Sequence, residues 1–337
     1  MDKKAFEVQF NWIFVLAAGT AILLFFSGII IKQKDISETT TNAAILKSVE
    51  SLIASNSAKE DVATSTDLSS STIEMSCNRI SAGKTSRQFS SLILFSPSKI
   101  TSTKIFALSK DFSIPYKAVN ILMMSSPNVK YIIIGNNEIA REINKSIPDK
   151  WNKAIYSSMP DIRAEKDTKY RFIFASSEPV FPVSIQGMPD EDVTAVKLQG
   201  DTIHGSAAFY SKKGAAWQQA GTSNYLTSSL LIGAVFSGSK ENYECSAANA
   251  FSRLSLVSGI NADRTGKLIA SPQITNTACT NIYQSLMQNF NDIKIASETI
   301  SKTGKVNDAE LGKIIPVSQF LEESNQQLKI YSCQLMY

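Results

Sequence analysis

Residues Phe10 to Ile31 read FNWIFVLAAGTAILLFFSGIII, a run of 22 positions without a charged side chain. No other feature of the chain limits its fold so strongly. As a helix rising about 1.5 Å per residue the run reaches roughly 33 Å, enough to cross a hydrocarbon core of about 30 Å. Its polar members are few: Asn11 and Trp12 near one end, and Thr20 and Ser27 within. The Thr and Ser hydroxyls can bond to the helix's own carbonyls, so lipid tolerates them. Lys3 and Lys4 flank one end, Lys32 and Lys34 the other, and Phe10 and Trp12 stand where an aromatic belt belongs. A core helix rarely runs this long uncharged. A cleaved signal peptide has a shorter apolar region and a small-x-small cleavage site, whereas this run ends in IIIKQK. The reading is an uncleaved signal-anchor: residues 1–9 a short tail, 10–31 a transmembrane helix with the lipid bilayer as its partner. Ala17, Ala21 and Gly28 share one face of it, which would permit close helix contact in the membrane.

Lysines balance across the two flanks, so charge alone barely orients the helix. The cysteines decide. There are four, Cys77, Cys245, Cys279 and Cys333, all beyond the anchor and none in a C-x-x-C pair. With a single histidine, His204, and such wide spacing, zinc ligation has little support. Two disulfides in an oxidising compartment fit the even number, with three pairings open; four buried thiols are the alternative. The expected topology is a single-pass protein of the cell membrane, N-terminus cytoplasmic and bulk extracytoplasmic. Asn144-Lys145-Ser146 is then a candidate glycosylation site at Asn144.

Beyond the anchor, residues 32–72 read as a stalk and a Ser/Thr-rich tether. In 41–55, Ile45, Leu46, Val49, Leu52 and Ile53 form an amphipathic helical stripe. It either pairs with a protein partner or folds back onto the main domain. Residues 55–72, SNSAKEDVATSTDLSSST, show no core-forming pattern and read as flexible. From 73 to 221 the character is α/β. Apolar runs at 91–95, 103–108, 131–135, 171–175 and 194–198 suggest strands, and Tyr116–Met124 and Asn137–Ser146 suggest helices. Gly200-Asp201 marks a hairpin. From 222 to 337 the pattern is helical, over 222–239 with an N-cap at Thr222, Ser223 or Asn224, 241–260 ending at Gly259, 275–299 and 317–335. The fold class is thus an α/β or α+β soluble domain: a small mixed sheet followed by a helical C-terminal layer, tethered to one N-terminal transmembrane helix.

The search for chemistry returns little. Gly83-Lys84-Thr85 has the tail of a phosphate-binding loop, but that motif needs glycine where Asn78 stands, so the string reads as a turn. His204 lies in a strand pattern with Ser206 two residues on, and no G-x-S-x-G elbow exists. Asp190, Glu191 and Asp192 could hold calcium, yet lack an EF-hand spacing and read as a solvated loop. Lys and Arg exceed Asp and Glu by only four and form no basic run with interleaved aromatics, which argues against a nucleic-acid partner. No catalytic, cofactor-binding or metal-ligating residue is assigned.

The stretch Phe6-Glu7-Val8-Gln9-Phe10-Asn11-Trp12-Ile13-Phe14, with Gly233-Ala234-Val235-Phe236, Tyr243-Glu244-Cys245 and the late cysteines, resembles uncharacterised archaeal single-pass membrane proteins. The resemblance implies a surface-exposed envelope protein and no particular activity. Type IV pilin-like proteins are the nearest characterised comparison. Lys3-Lys4-Ala5 is similar to their basic leader, while Glu7 stands earlier than their glutamate, five residues after the processing site. The expected function is non-enzymatic: a membrane-tethered extracytoplasmic binding or scaffolding protein of the cell envelope. The alternatives are a membrane-anchored envelope hydrolase or transferase, and a subunit of a pilus or secretion assembly that associates through the anchor or residues 41–55.

Overall fold

The computed structural model describes residues 3–89, 92–271 and 276–337, the side chains of 3–11, 35, 70 and 71 excepted. Lys3, Lys4, Glu7, Phe10 and Asn11 as side chains, and Ser91 and Thr275, therefore lie outside the described residues. The first element, α1 (Lys3–Ser57), is one unbroken helix of 55 residues. It carries one segment long and apolar enough to cross a membrane. Nearly every described side chain from Trp12 to Thr41 is exposed, and Thr20 returns its hydroxyl to the Leu16 carbonyl at 2.8 Å. From Asn42 onward the same helix enters the domain. Ile45, Leu46, Val49, Leu52 and Ile53 are buried against Ile73, Met75, Ile80, Ile105, Leu122 and Met124. The stripe of the 41–55 segment is therefore covered by the chain's own sheet.

That sheet, sheet A, comprises β1 (Ala63–Ser76), β2 (Arg79–Ala82), β3 (Thr85–Gln88), β4 (Leu94–Phe95), β5 (Lys99–Ser113) and β6 (Lys117–Ser125), in the order β3-β2-β1-β5-β6-β4. All its pairs are antiparallel except β4 with β6. Sheet B comprises β7 (Val129–Ile134), β8 (Lys153–Tyr156), β9 (Lys169–Ala175), β10 (Val193–Gly200), β11 (His204–Lys213) and β12 (Ala216–Leu226), in the order β12-β11-β10-β9-β7-β8. Its β8-β7-β9-β10 part is parallel, with α2 (Glu138–Ser146) as the β7–β8 crossover, and β11 and β12 are antiparallel. The Gly200 hairpin forms as the sequence suggests, with Gly200 at φ +113°.

Two six-stranded mixed sheets stand where one small sheet is expected, and two local readings account for part of the difference. Residues 63–72 belong to β1 and are no flexible tether: Thr64, Thr66 and Leu68 alternate inward, and Thr64 exchanges hydrogen bonds with Asn56 of α1 at 2.8 and 3.0 Å. Tyr116–Met124 is strand rather than helix. Both faces of β6 are buried, Ile121 and Met123 on one side and Leu122 and Met124 on the other, so no period-2 signal survives in the sequence.

Four helices follow: α3 (Ser228–Phe236), α4 (Lys240–Ile269), α5 (Thr277–Thr303) and α6 (Asp308–Ile330). Uncharged α3 is apolar on every side and touches strands of both sheets, as an all-round apolar helix must. At Gly233 an added Cβ would lie 3.0 Å from the Phe95 ring, so this position brings helix and strand into direct contact. Its N-cap is Thr227, because β12 runs on through the expected cap positions 222–224. Gly259 lies inside α4 instead of ending it. Pro316 lies inside α6, so the helix begins earlier than the Val317 suggested by the apolar pattern and stops before Cys333. Cys77, in the β1–β2 turn, is bonded to Cys245 of α4, and Cys279 of α5 to Cys333 beyond α6.

The course of α1 gives the domain two ends. At the far end, Asn120 donates to the Ser57 carbonyl at 2.9 Å and Lys117 meets Glu60 at 2.6 Å. At the near end, where α1 enters, Asn42 abuts the Gly83 turn, beside the Ile73–Ala82 and Glu74–Lys99 strand pairs.

Candidate ligand pocket

A cavity of about 290 Å³ opens at this near end, between the start of β5 and the first residues of β7, β9 and β10. The C-terminus of α3 closes its back. Val129, Tyr131, Val235 and Phe236 supply apolar wall, and Lys99, Lys169, Arg171, Glu191 and Asp192 supply charge. Parallel strands place this group together: Val129 pairs with Lys169, and Tyr170 with Val193, so the three strand starts share one edge.

Arg171 is the unusual member. It has the parity of Ile173 and Ala175 on β9 and therefore points into the main core, where it is only 4 % exposed. Its guanidinium donates to four carbonyls: Nε to Val235 at 3.0 Å, Nη1 to Ala195 at 3.3 Å, and Nη2 to Ala234 at 3.0 Å and Ser237 at 2.7 Å. Three of these are at the end of α3, whose last carbonyls lack partners within the helix and carry the negative end of its dipole. The arginine thus caps a buried helix and ties it to sheet B. Burial brings its pKa down to about 10, opposed by the neighbouring Tyr131. Burial also pushes the Tyr131 phenol well up, against the hydrogen bond shared with Ser125.

The acidic trio forms a single 3₁₀ turn, Asp190–Asp192, and each carboxylate meets a lysine from a different strand. Asp190 pairs with Lys212 of β11 at 2.6 Å, Glu191 with Lys99 of β5 at 3.8 Å, and Asp192 with Lys169 of β9 at 3.1 Å. The Lys99 pair joins sheet A to the turn that leads into β10. This divergence explains why three adjacent acids make no calcium cage. Among the described residues, the acids close enough to share an ion are Glu60, Asp61 and Asp111, at the far end, where Lys117 and Lys110 already hold the first two.

The remaining sequence candidates lie elsewhere. His204 begins β11, at the opposite end of β10 from the cavity, and its Nε2 stands 3.9 Å from Asp308. Gly83-Lys84 is the β2–β3 turn, with Gly83 at φ +53°. Asn144 is half-buried in α2, its carbonyl accepting from Lys153 at 2.6 Å, while Ser146 donates to Glu142 at 3.2 Å. In the sequence Arg171 reads as the polar edge of an apolar run, and its parity with Ile173 is the one signal of its inward position.

No protein-family model matches this chain, and comparison with curated proteins and with solved structures gives no match either.

Proposed function

We propose that the protein is a single-pass, membrane-tethered binding or scaffolding protein of the cell envelope, with its N-terminus in the cytoplasm and its domain outside. The observation that carries this reading is the unbroken α1. Its first part is bare and apolar over a membrane's thickness, and its last part is built into sheet A, so the domain is carried on a rigid post. Between Ile31 and the first buried residue, Asn42, the post rises about 16 Å at 1.5 Å per residue. Two cystines support an oxidising compartment. A cavity walled by apolar side chains, with a few placed charges, is the usual form of a small-ligand site.

The test is protease treatment of intact cells, with disulfide mapping by mass spectrometry of native membranes before and after reduction. Cleavage from outside and two mapped cystines are expected. Full protection with free thiols would overturn the reading.

A second reading, a subunit of a pilus or secretion assembly, draws on the same helix. A bare apolar half continuous with a half packed on a mainly antiparallel sheet could bundle with other copies of itself. Crosslinking in native membranes should then yield oligomers joined through the anchor, and recovery of monomer alone would count against it.

A further inference from the structure

Arg171 has five N–H donors, and four carbonyls occupy four of them. Among the described residues no carboxylate stands with its partners, although a buried charge is ordinarily paired with an opposite one. The end of α3 offsets roughly half a unit of its charge. The cavity it lines holds three cationic side chains against two carboxylates, an excess of one positive charge. The Lys99–Glu191 pair is 3.8 Å long and open to solvent, and such a pair rearranges at little cost, so Lys99 can turn from its acid to an incoming anion. The Lys169–Asp192 pair is largely buried, so the anion competes with Asp192 for Lys169.

We infer that this cavity receives a small amphipathic anion, its negative group placed among Arg171, Lys169 and Lys99 and its apolar body laid against Val129, Tyr131 and Phe236. The inference rests on the binding reading above and gives it a ligand class. Because the cavity is at the end of the domain where α1 arrives from the membrane, two sources supply this chemistry. One is a free amphiphile, and the other an anionic lipid whose head reaches the mouth.

The experiment uses the full chain in phosphatidylcholine nanodiscs, titrated with octanoate and, as its opposite-charge counterpart, octylammonium. Calorimetry gives the stoichiometry, and hydrogen exchange locates the site. Octanoate should bind once per chain and slow exchange at 129–131, 169–171 and 235–238, while octylammonium should not. Lys169→Gln should weaken octanoate about tenfold, as loss of one charge-assisted contact does. Asp192→Asn should tighten it, because the acid competing for Lys169 is gone. Both substitutions are at the rim, which keeps the test independent of whether an Arg171 variant folds. Replacing phosphatidylcholine with phosphatidylglycerol separates the sources: protection without octanoate assigns the head to a lipid, and protection only with octanoate assigns it to a free molecule. Preferential binding of octylammonium, weakening by Asp192→Asn, or no protection by either probe or lipid would overturn the anion assignment. The binding reading itself falls separately, if protease shows the domain to be inside the cell.

Discussion

Sheets A and B have six strands each, but they are held together in different ways. The central strands of sheet B are buried on both faces. Ile133 and Ile173 face α3, while Ile132, Ile134, Phe172 and Phe174 pack with Ile162 and Ile185 under the outer loops. A buried cation then locks the layer to α3. Sheet A has long strands rich in Ser, Thr and Lys, and at the start of β1 the inward positions are Thr64, Thr66 and Leu68. Its cohesion comes from covers fixed to it, α1 on one face and α4 through the Cys77–Cys245 bond. Sheet B should therefore be most sensitive to loss of an internal group, and sheet A to loss of a cover.

The largest single effect should come from Arg171→Met. The substitution removes four hydrogen bonds and leaves the carbonyls of Ala195, Ala234, Val235 and Ser237 to be satisfied some other way. Breaking a buried charged network of this kind costs about 3–5 kcal/mol. Denaturant titration should show the midpoint falling with an unchanged slope, and exchange should rise first in β9, β10 and the end of α3. A loss below about 1 kcal/mol would mean that the carbonyls find other donors and that the cation does not lock the layer.

The same contrast governs how much of the molecule could be read from its sequence. Sheet B is legible because parallel strands buried on both faces must be continuous apolar runs, and YIII and FIFA are such runs. The crossover helix is legible from Asn137, whose side chain accepts from the Ala140 amide, and from its Ile139–Ile143 spacing. Sheet A is largely illegible. β1 alternates correctly, but at its start the inward residues are Thr64, which bonds to Asn56 of α1, then Thr66 and Leu68, so the alternation there has little hydrophobic amplitude. β6 contains Lys, Ala, Leu and Met, residues at home in helices, and its pairing with β5 and β4 makes it a strand. The cavity was illegible for a different reason: its charges come from three distant segments that meet only when β5, β9 and the Asp190 turn are brought together.

Removing the covers of sheet A should produce the next two effects. Replacing Cys77 and Cys245 together by Ser opens a loop of 168 residues and should cost roughly 2–5 kcal/mol. The Cys279–Cys333 pair closes only 54 and should cost less. Hydrogen exchange distinguishes the covers from general loosening: β1–β3 should lose protection while β7 and β9 keep theirs. Val49→Ala is a gentler version of the same test. Val49 is fully buried between α1 and sheet A, and deleting its two methyl groups should cost about 2 kcal/mol once the cavity left behind is included. Equal loss of protection in both sheets would show them to be a single cooperative unit, and the contrast between them would fail.

The smallest effect probes a tie at the rim of sheet B. Lys212 is nearly buried, with its ammonium held by the Met188 carbonyl at 2.9 Å and by Asp190 at 2.6 Å. The hydrogen bond from Lys212 holds the Asp190 carboxyl below its ordinary range. A carboxyl with a lower pKa folded than unfolded stabilises the fold fully above the unfolded value, about 3.9, and loses that contribution as pH falls through the folded value. The melting temperature should therefore decline on acidification below about pH 4, and Asp190→Asn should flatten part of that decline while lowering the plateau at neutral pH. Since Asp190 is more than half exposed, solvent screens the pair, and the change should be slight beside the loss of Arg171. If wild type and Asp190→Asn decline in parallel, the Met188 carbonyl alone is enough to hold Lys212. Sheet B then depends on its interior even at its edge.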